Sequence, residues 1–454
     1  MFATRRRIPH VSITHGLLSR VSGLAQTTLT ASGRRSFGIS RHSPIPRTQV
    51  LRKRQENDVG IVCCRSRFST ISFNDPIEYQ GIEGVEPLAL YEPGGYHPVM
   101  VDDLLHRRYR IVDKLGHGGY STIWLAHDEQ TRRYVALKIG ISGQMLPRRE
   151  PSILRTLSQS VSSSGQETTQ ELHDASTTLP EILDVFNVRG PNGIHVCYTK
   201  TLAQGNLKEA SFSRLFPIEV ARLLAGRLAL AVSLIHSRGF VHGGGGALYL
   251  GRMAEEFTAD DARGLILGDF GEAFAPATED RLGGDCNTPV AMRAPEALFE
   301  PDTPVSYSAD VWSLGTAIWE ILGMGFIFDE SASMDEIVAQ QIDILGAQGL
   351  PQAWREHWER PQWEELVTET EVTVPRRPAD GDREAWPPLE QAFEVFVQRY
   401  RREQEAMGVF GEEETRAILE LMRGMLRFRP EERMTIQEVL RSEWMTRWAL
   451  PRDG

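Results

Sequence analysis

Apolar and polar residues alternate along Tyr109-Arg110-Ile111-Val112-Asp113-Lys114-Leu115, which runs into a glycine turn. They alternate again along Ser121-Thr122-Ile123-Trp124-Leu125-Ala126, and Tyr134-Val135-Ala136-Leu137-Lys138 repeats the pattern. A period of two marks a half-buried strand. Three such strands joined by short turns predict an antiparallel meander, not a strand–helix crossover. Residues 157–178, rich in Ser, Gln and Thr, predict a loop. The period then changes. From Pro217 to His236 apolar residues recur at helical spacing and predict a long buried helix. Further helices are expected at 309–322, 389–406, 412–427 and 435–446, with an irregular, proline-rich insertion from Pro361 to Pro388. The expected architecture is α+β and bilobal: a small antiparallel β lobe before a larger helical one. The boundaries expected are a tail at 1–70, a lead-in at 71–107 and one folded domain at 108–449. Within that domain the small lobe spans about 108–203 and the large lobe about 204–449.

Composition narrows the partners. At 454 residues, 41% hydrophobic and 24% charged, the chain can bury a sizeable core. Residues 1–55 hold eleven Lys or Arg and no acid, so subtracting them from the net −11 leaves −22 for the rest. An acidic body argues against nucleic-acid binding and suits basic, Arg-rich partners. No apolar run approaches the ~20 residues of a membrane span. The four cysteines, Cys63, Cys64, Cys197 and Cys286, have neither metal-site nor disulfide-framework spacing, which fits a reducing compartment. Residues 1–70 have the Arg- and Ser-rich, acid-poor composition of a mitochondrial transit peptide. Arg34-Arg35-Ser36-Phe37 and Arg67-Phe68-Ser69 are processing neighbourhoods on that reading. Read as a plain basic arm, the same stretch leaves the cytoplasm or nucleus as the address.

The chemistry sits in an ordered series of short elements. Gly116-His117-Gly118-Gly119-Tyr120-Ser121 lies between two strands, where glycines offer unobstructed N–H donors to a phosphate. Lys138 ends the third strand about twenty residues later. A Lys there can reach α- and β-phosphates if a carboxylate holds it. Glu150 is the expected partner, at the start of a helix marked by Ile153, Leu154 and Leu157, with Pro151 in its first turn. Asp269 follows the buried-looking Leu265-Ile266-Leu267-Gly268 and precedes Phe270-Gly271, a position suited to a Mg²⁺ ligand. Arg293-Ala294-Pro295-Glu296, then Asp310 at a helix start, then Arg433 as ion-pair partner for Glu296, complete the series. Singly, each has a plainer reading, since a Gly-rich hairpin is usually a turn and a strand Lys a solvated cation. In this order they form a composite signal.

On these motifs residues 94–446 resemble a eukaryotic protein kinase of the CMGC group, and most resemble the SR-protein kinases and their fungal relatives. Gly94-Gly95-Tyr96-His97-Pro98-Val99 is similar to the family's lead-in, and Leu115–Leu125 to its glycine loop, including Ser121 at the third glycine. Arg293 directly before Ala-Pro-Glu marks the wider group. The large spacer insert of some members is missing. The resemblance implies a bilobal kinase fold acting as a monomer, ATP with Mg²⁺ as cofactors, and phosphoryl transfer to Ser or Thr of Arg-Ser-rich proteins. It implies ATP binding by Gly116, His117, Gly118, Gly119, Tyr120, Ser121, Ile123, Ala136, Lys138 and Glu150, and metal binding by Asp269. Arg293, Glu296, Asp310 and Arg433 would build the substrate platform.

One stretch departs from the family. His242 is the expected catalytic-loop His, but Gly243-Gly244-Gly245-Gly246 follows it. The family carries Asp two residues after that His, Lys two further, and Asn seven after the His. This chain has Gly244, Gly246 and Tyr249. A second register pairs Leu248-Tyr249-Leu250-Gly251 with the fungal loop and puts Ala247 and Arg252 at the two positions. Neither register supplies the base, a role worth ~10²–10⁴ in rate, or the second metal ligand. Glu255, Glu256, Asp260 and Asp261 are the nearby carboxylates that could stand in. Gly243 in place of the usual Arg also removes the grip on an activation-loop phosphate, so activity is expected not to need that modification. Three functions follow: a Ser/Thr protein kinase, an ATP-binding pseudokinase scaffold, or a small-molecule kinase of the aminoglycoside type. The Arg293–Glu296 and Asp310 elements speak against the third.

Overall fold

The alternating stretches form a six-stranded antiparallel sheet in the order β1-β2-β3-β4-β6-β5. Its strands are β1 (Leu104–Leu105), β2 (Tyr109–Gly118), β3 (Ser121–Asp128), β4 (Arg133–Gly140), β5 (Ile182–Gly190) and β6 (Gly193–Thr201). The computed structural model describes residues 86–143, 146–159, 175–202, 215–244, 254–360, 374–378 and 385–451. The basic tail, and most of the 361–388 insertion, lie outside the described residues; 374–378 and 385–388 carry no helix or strand.

The β5–β6 hairpin was not among the expected elements. Its signal is Gly190-Pro191-Asn192-Gly193, a turn sequence between two apolar-rich stretches. The two strands pair from Ile182↔Lys200 to Gly190↔Gly193, with a register shift at Ile182/Asp184 that blurs the alternation. Tyr109, Ile111, Trp124, Leu137, Phe186 and Cys197 make the sheet's own apolar core. The lead-in packs on this lobe: Tyr96 is buried and donates from its hydroxyl to Gly118 O at 2.8 Å.

Among the described residues the helices are α1 (Leu146–Ser158), α2 (Ile218–Ser237), α3 (Ala259–Arg263), α4 (Pro295–Phe299), α5 (Tyr307–Leu322) and α6 (Met334–Leu345). They continue as α7 (Gln352–Trp358), α8 (Leu389–Phe393), α9 (Arg399–Glu403), α10 (Glu412–Met425) and α11 (Ile436–Arg441). The long helix expected at 217–236 is α2, buried from Ile218 to Ile235 along its apolar side. A π-turn, Glu394–Gln398, joins α8 to α9, so the expected helix at 389–406 is one run of three parts. The α6 start was missed although Ser333 and Glu336 form a reciprocal capping box, a pattern readable three residues apart.

Pro151 corrects a second expectation. The helix begins at Leu146, so Pro151 stands in its interior and not in its first turn. Proline there lacks the N–H that the Pro147 carbonyl would accept, a cost of about 3 kcal/mol. Burial of Ile153, Leu154 and Leu157 in the large core offsets that cost.

The largest core lies around α2, α5 and α10, with Trp312, Trp319 and Trp444 fully enclosed, and two smaller clusters flank it. No helix of the described residues is long and apolar enough to cross a membrane. At its edge Glu296 and Arg433 meet: Nη1 donates to Oε1 at 2.9 Å and Nη2 to Oε2 at 2.8 Å. The same guanidinium donates to Ser308 O and Arg427 O and lies 5.3 Å from the Trp312 ring centre. Such a fully enclosed pair is strongly destabilising when one partner is removed. Arg433→Leu is expected to cost about 3–5 kcal/mol. Arg433→Leu combined with Glu296→Leu should cost less than the single change, read by denaturant unfolding of both variants.

Candidate active site

Lys138 and Ile123 stand opposite each other on β4 and β3, and Ala136 sits two residues before Lys138 on the same face. Lys138 Nζ donates to Glu150 Oε2 at 2.5 Å across the gap between sheet and α1. Burial alone would raise the Glu150 carboxyl, but the charges of Lys138 and Lys200 outweigh it and hold it below the ordinary carboxylate range. Glu150 is buried, and hydrogen bonds from Lys138 and Tyr198 also help hold its carboxyl down.

A cavity of about 140 Å³ opens in front of this pair, lined among others by Gly118, Tyr120, Ser121, Lys138, Tyr198 and Asp269. Above it the β2–β3 hairpin closes with Gly116↔Ile123, His117↔Thr122 and Gly118↔Ser121. A Cβ added at Gly116, Gly118 or Gly119 would meet no protein atom within 4 Å, so the fold's own packing does not require glycine there. His117 and Tyr120 are exposed and Ser121 is buried at the hairpin's end.

Asp269 takes φ 63°, ψ 66°, a left-handed backbone that a non-glycine residue adopts at a cost of order 1–3 kcal/mol. Its side chain is exposed toward the cavity. A Cβ on Gly271 would lie 3.5 Å from Asp269 Oδ1 and 4.0 Å from Glu150 Oε2, so both carboxylates flank that glycine. Phe270 is fully buried and meets the His242 ring edge-on at 4.9 Å.

His242 is held by protein groups. Its Nε2 is 3.0 Å from Gly268 O, which ties the loop to the segment before Asp269. Its backbone N–H donates to Asp310 Oδ2 at 2.7 Å, and the Gly243 N–H donates to Asp310 Oδ1 at 3.0 Å. His236 Nε2 is 3.0 Å from the same carboxylate. Burial alone would raise the Asp310 carboxyl; the hydrogen bond and charge of His236, the charge of His242 and the Gly243 N–H hold it below its ordinary range. Gly243 has φ 70°, and an added Cβ would meet Glu272 O at 2.9 Å. At Gly244 an added Cβ would lie 3.1 Å from the His242 ring, a contact that small adjustments relieve.

Residues 245–253, including Gly246, Ala247, Tyr249 and Arg252, lie outside the described residues. Of the stand-in carboxylates, Asp261 caps α3 by accepting from Thr258, and Asp260 pairs with Arg263. Glu256 is exposed on a short turn before α3.

Arg293 donates through Nε and Nη2 to Thr288 O at 3.0 and 2.7 Å, and the Thr288 hydroxyl donates to Gly243 O at 2.7 Å. Thus the segment carrying Arg293 is fastened to the glycine loop after His242. Sequence reasoning missed two further links. Arg149, next to Glu150, donates to Glu279, and Arg281 Nη1 donates to Glu272 Oε2 at 2.7 Å. It also missed Tyr198 and Lys200, because neither falls in a motif; only the β4–β6 register reveals them.

As donors for a divalent cation, the described residues offer the Asp269 carboxylate and no cluster of three or more ligating side chains. That fits a cation carried mainly by phosphates, since Mg²⁺ commonly takes one or two protein carboxylates beside them.

Sheet lobe, helical lobe, Lys–Glu pair and cavity-facing carboxylate are arranged as in a bilobal protein-kinase fold. The family model of the protein kinase domain matches residues 109–445. A serine/threonine protein kinase of Aspergillus fumigatus is 24% identical over 403 residues, covering 79% of this chain and 90% of the relative. Protein kinase dsk1 of Schizosaccharomyces pombe is 36% identical over 159 residues, 34% of this chain and 28% of its own. SRSF protein kinase 3 of Homo sapiens is 36% identical over 107 residues, 24% of this chain and 18% of its own. The chain belongs to the protein kinase family.

Asp310 gathers two backbone N–H groups and one imidazole. Asp310→Ala is expected to destabilise by about 3–5 kcal/mol, because the donors are left buried and unpaired. A depressed folded pKa also fixes a pH dependence: the carboxylate's contribution is full above the unfolded value of about 3.9 and falls away below it. Unfolding midpoints of native and Asp310→Ala protein should therefore differ fully at about pH 5 and converge only as pH falls below about 4.

Proposed function

We propose that this chain is an ATP-dependent Ser/Thr protein kinase acting on Arg-Ser-rich proteins, with a transfer rate limited by its altered catalytic loop. The Lys138–Glu150 pair beside the cavity-facing Asp269 is the observation that carries the reading. On it, Glu150 holds the Lys138 ammonium against the α- and β-phosphates of ATP. The N–H groups of Gly116 to Ser121 cover those phosphates, and the absence of any packing need for the three glycines supports this. Ile123 and Ala136 flank the base on the same sheet face. Asp269 would hold Mg²⁺, which when bound neutralises charge building on the transferred group. Arg293, Glu296, Asp310 and Arg433 keep the substrate platform in place through the bonds described above. The acidic body, −22 outside the first 55 residues, supports a basic substrate.

The proton of the substrate hydroxyl has no carboxylate at position 244 to accept it. That glycine is the specific observation favouring a second reading, an ATP-binding pseudokinase that docks basic partners without transfer. On address, the composition of residues 1–70 supports mitochondria, and an Arg-Ser-rich substrate supports cytoplasm or nucleus; fractionation of the full chain separates them.

Labelled ATP, Mg²⁺ and an Arg-Ser repeat peptide test the first reading on the full chain. Transfer should be slow and should vanish in Lys138→Met and Asp269→Ala. Gly244→Asp, whose Cβ the site accommodates with small shifts, should raise the rate by ~10²–10⁴. No transfer by the native chain, with ATP binding that Lys138→Met removes, would establish the pseudokinase instead.

A further inference from the structure

Four residues of the lead-in, Gly94 to His97, touch three separate parts of the small lobe. In the β5–β6 turn, Asn192 O accepts from the Gly94 N–H at 2.9 Å, and the Asn192 side-chain amide donates back to Tyr96 O at 2.7 Å. Just beyond β4, the Gly143 N–H donates to Gly94 O at 2.8 Å and the Ser142 N–H to Gly95 O at 3.2 Å. The Tyr96 hydroxyl reaches Gly118 O in the glycine hairpin, and Gly118 lines the 140 Å³ cavity. The segment is a strap across the sheet that ends on the hairpin.

His97 presses this strap against β6. Its ring lies 4.8 Å from the His195 ring, centre to centre, at a tilt of 47°. His97 is 7% exposed and His195 fully buried. His195 Nδ1 is 2.9 Å from Gly140 O; a carbonyl only accepts, so that nitrogen carries the proton. His195 Nε2 and His97 Nδ1 are both buried without a hydrogen-bond partner. A proton added at either would meet no acceptor and would put a charge in an enclosed site beside the other ring. The His97 ring fits only because position 190 is glycine: an added Cβ there would meet His97 Nδ1 at 2.3 Å.

The titratable groups facing the pair, among the described residues, do not offset such a charge. Burial lowers the pKa of His97, His195 lowers it further, and the Asp103 carboxylate, directly before β1, only works against that shift. Burial likewise lowers the pKa of His195 against the Gly140 hydrogen bond. Cys197 follows two residues along β6 on the same face, and burial pushes its thiol up to about 12, so it stays neutral. Ile139 of β4 and Val188 of β5, opposite Cys197 and His195, do not titrate.

We propose that residues 94–97 are a proton-sensitive clasp on the glycine hairpin, shut while His97 and His195 are both neutral and released when either ring takes a proton. An imidazole that resists protonation while docked adds stability that is full above its free value of about 6.5 and falls away as pH drops through it. Acid therefore loosens the strap, and with it the Tyr96 bond to Gly118. The clasp does not depend on what the cavity binds.

Hydrogen exchange of the full chain at pH 7.5 and 5.5, corrected for intrinsic rates and read by mass spectrometry, tests it. Peptides covering 94–97 and 116–121 should open more often at pH 5.5, by up to about tenfold per ring and pH unit below about 6.5. Peptides of α5 should not change. His97→Phe should remove the pH response, as should His195→Gln, whose amide can still donate to Gly140 O. Gly190→Ala, which displaces the His97 ring, should exchange at pH 7.5 as the native chain does at 5.5. Equal native exchange at both pH values overturns the proposal. So does an undiminished pH response in His97→Phe and His195→Gln, or loosening of α5 to the same extent, which would mark general acid unfolding.

Discussion

The contact between Lys138 and Glu150 sets the terms for the rest of the site. A lysine on a strand and a glutamate on a helix, both withdrawn from water, join two elements that otherwise meet across a cavity wall. Helix α1 is a poor helix in isolation, because Pro151 breaks its hydrogen-bond ladder from within. Its order therefore comes from what it touches: apolar contacts at Ile153, Leu154 and Leu157, the ion pair at Glu150, and the Arg149 bond to Glu279. Propensity does not make this helix. Docking does.

A second fixed point works independently of the first. The Asp310 carboxylate takes the backbone of His242 and Gly243 and the ring of His236, while His242 reaches Gly268 and packs on Phe270. All of this survives although position 244 carries no acid. The bonds that hold the loop around His242 and Gly243 thus do not depend on an acid at position 244. Arg293 and Thr288 extend the mechanical network to the segment before α4.

Much of this was legible in the chain. Strands with plain alternation, β2 to β4, were readable because each has one buried face and one wet face. The long helices α2, α5 and α10 were readable because their apolar stripes hold period through several turns. The β5–β6 hairpin was not, since its register shift at Ile182/Asp184 and its mixed burial break the alternation that identifies strands. Glycine loop, Lys138, Glu150 and Asp269 could be found because each sits in a local pattern. Lys200 could not, because only the pairing of β6 with β4, opposite Ala136, brings it to the sheet face that carries Lys138. Helix boundaries also slipped: nothing local says that α1 starts at Leu146, before its proline, and not after it.

Gly243 limits which side chain its position accepts. Its backbone is left-handed, and the space a Cβ would fill is taken by the Glu272 carbonyl. An arginine there, as the family carries, must first turn the peptide over and displace that carbonyl, which disturbs the bonds from Gly243 to Asp310 and Thr288. A side chain at 243 would therefore loosen the loop's own anchors, the bonds from its backbone to Asp310 and Thr288, before it could reach any phosphate.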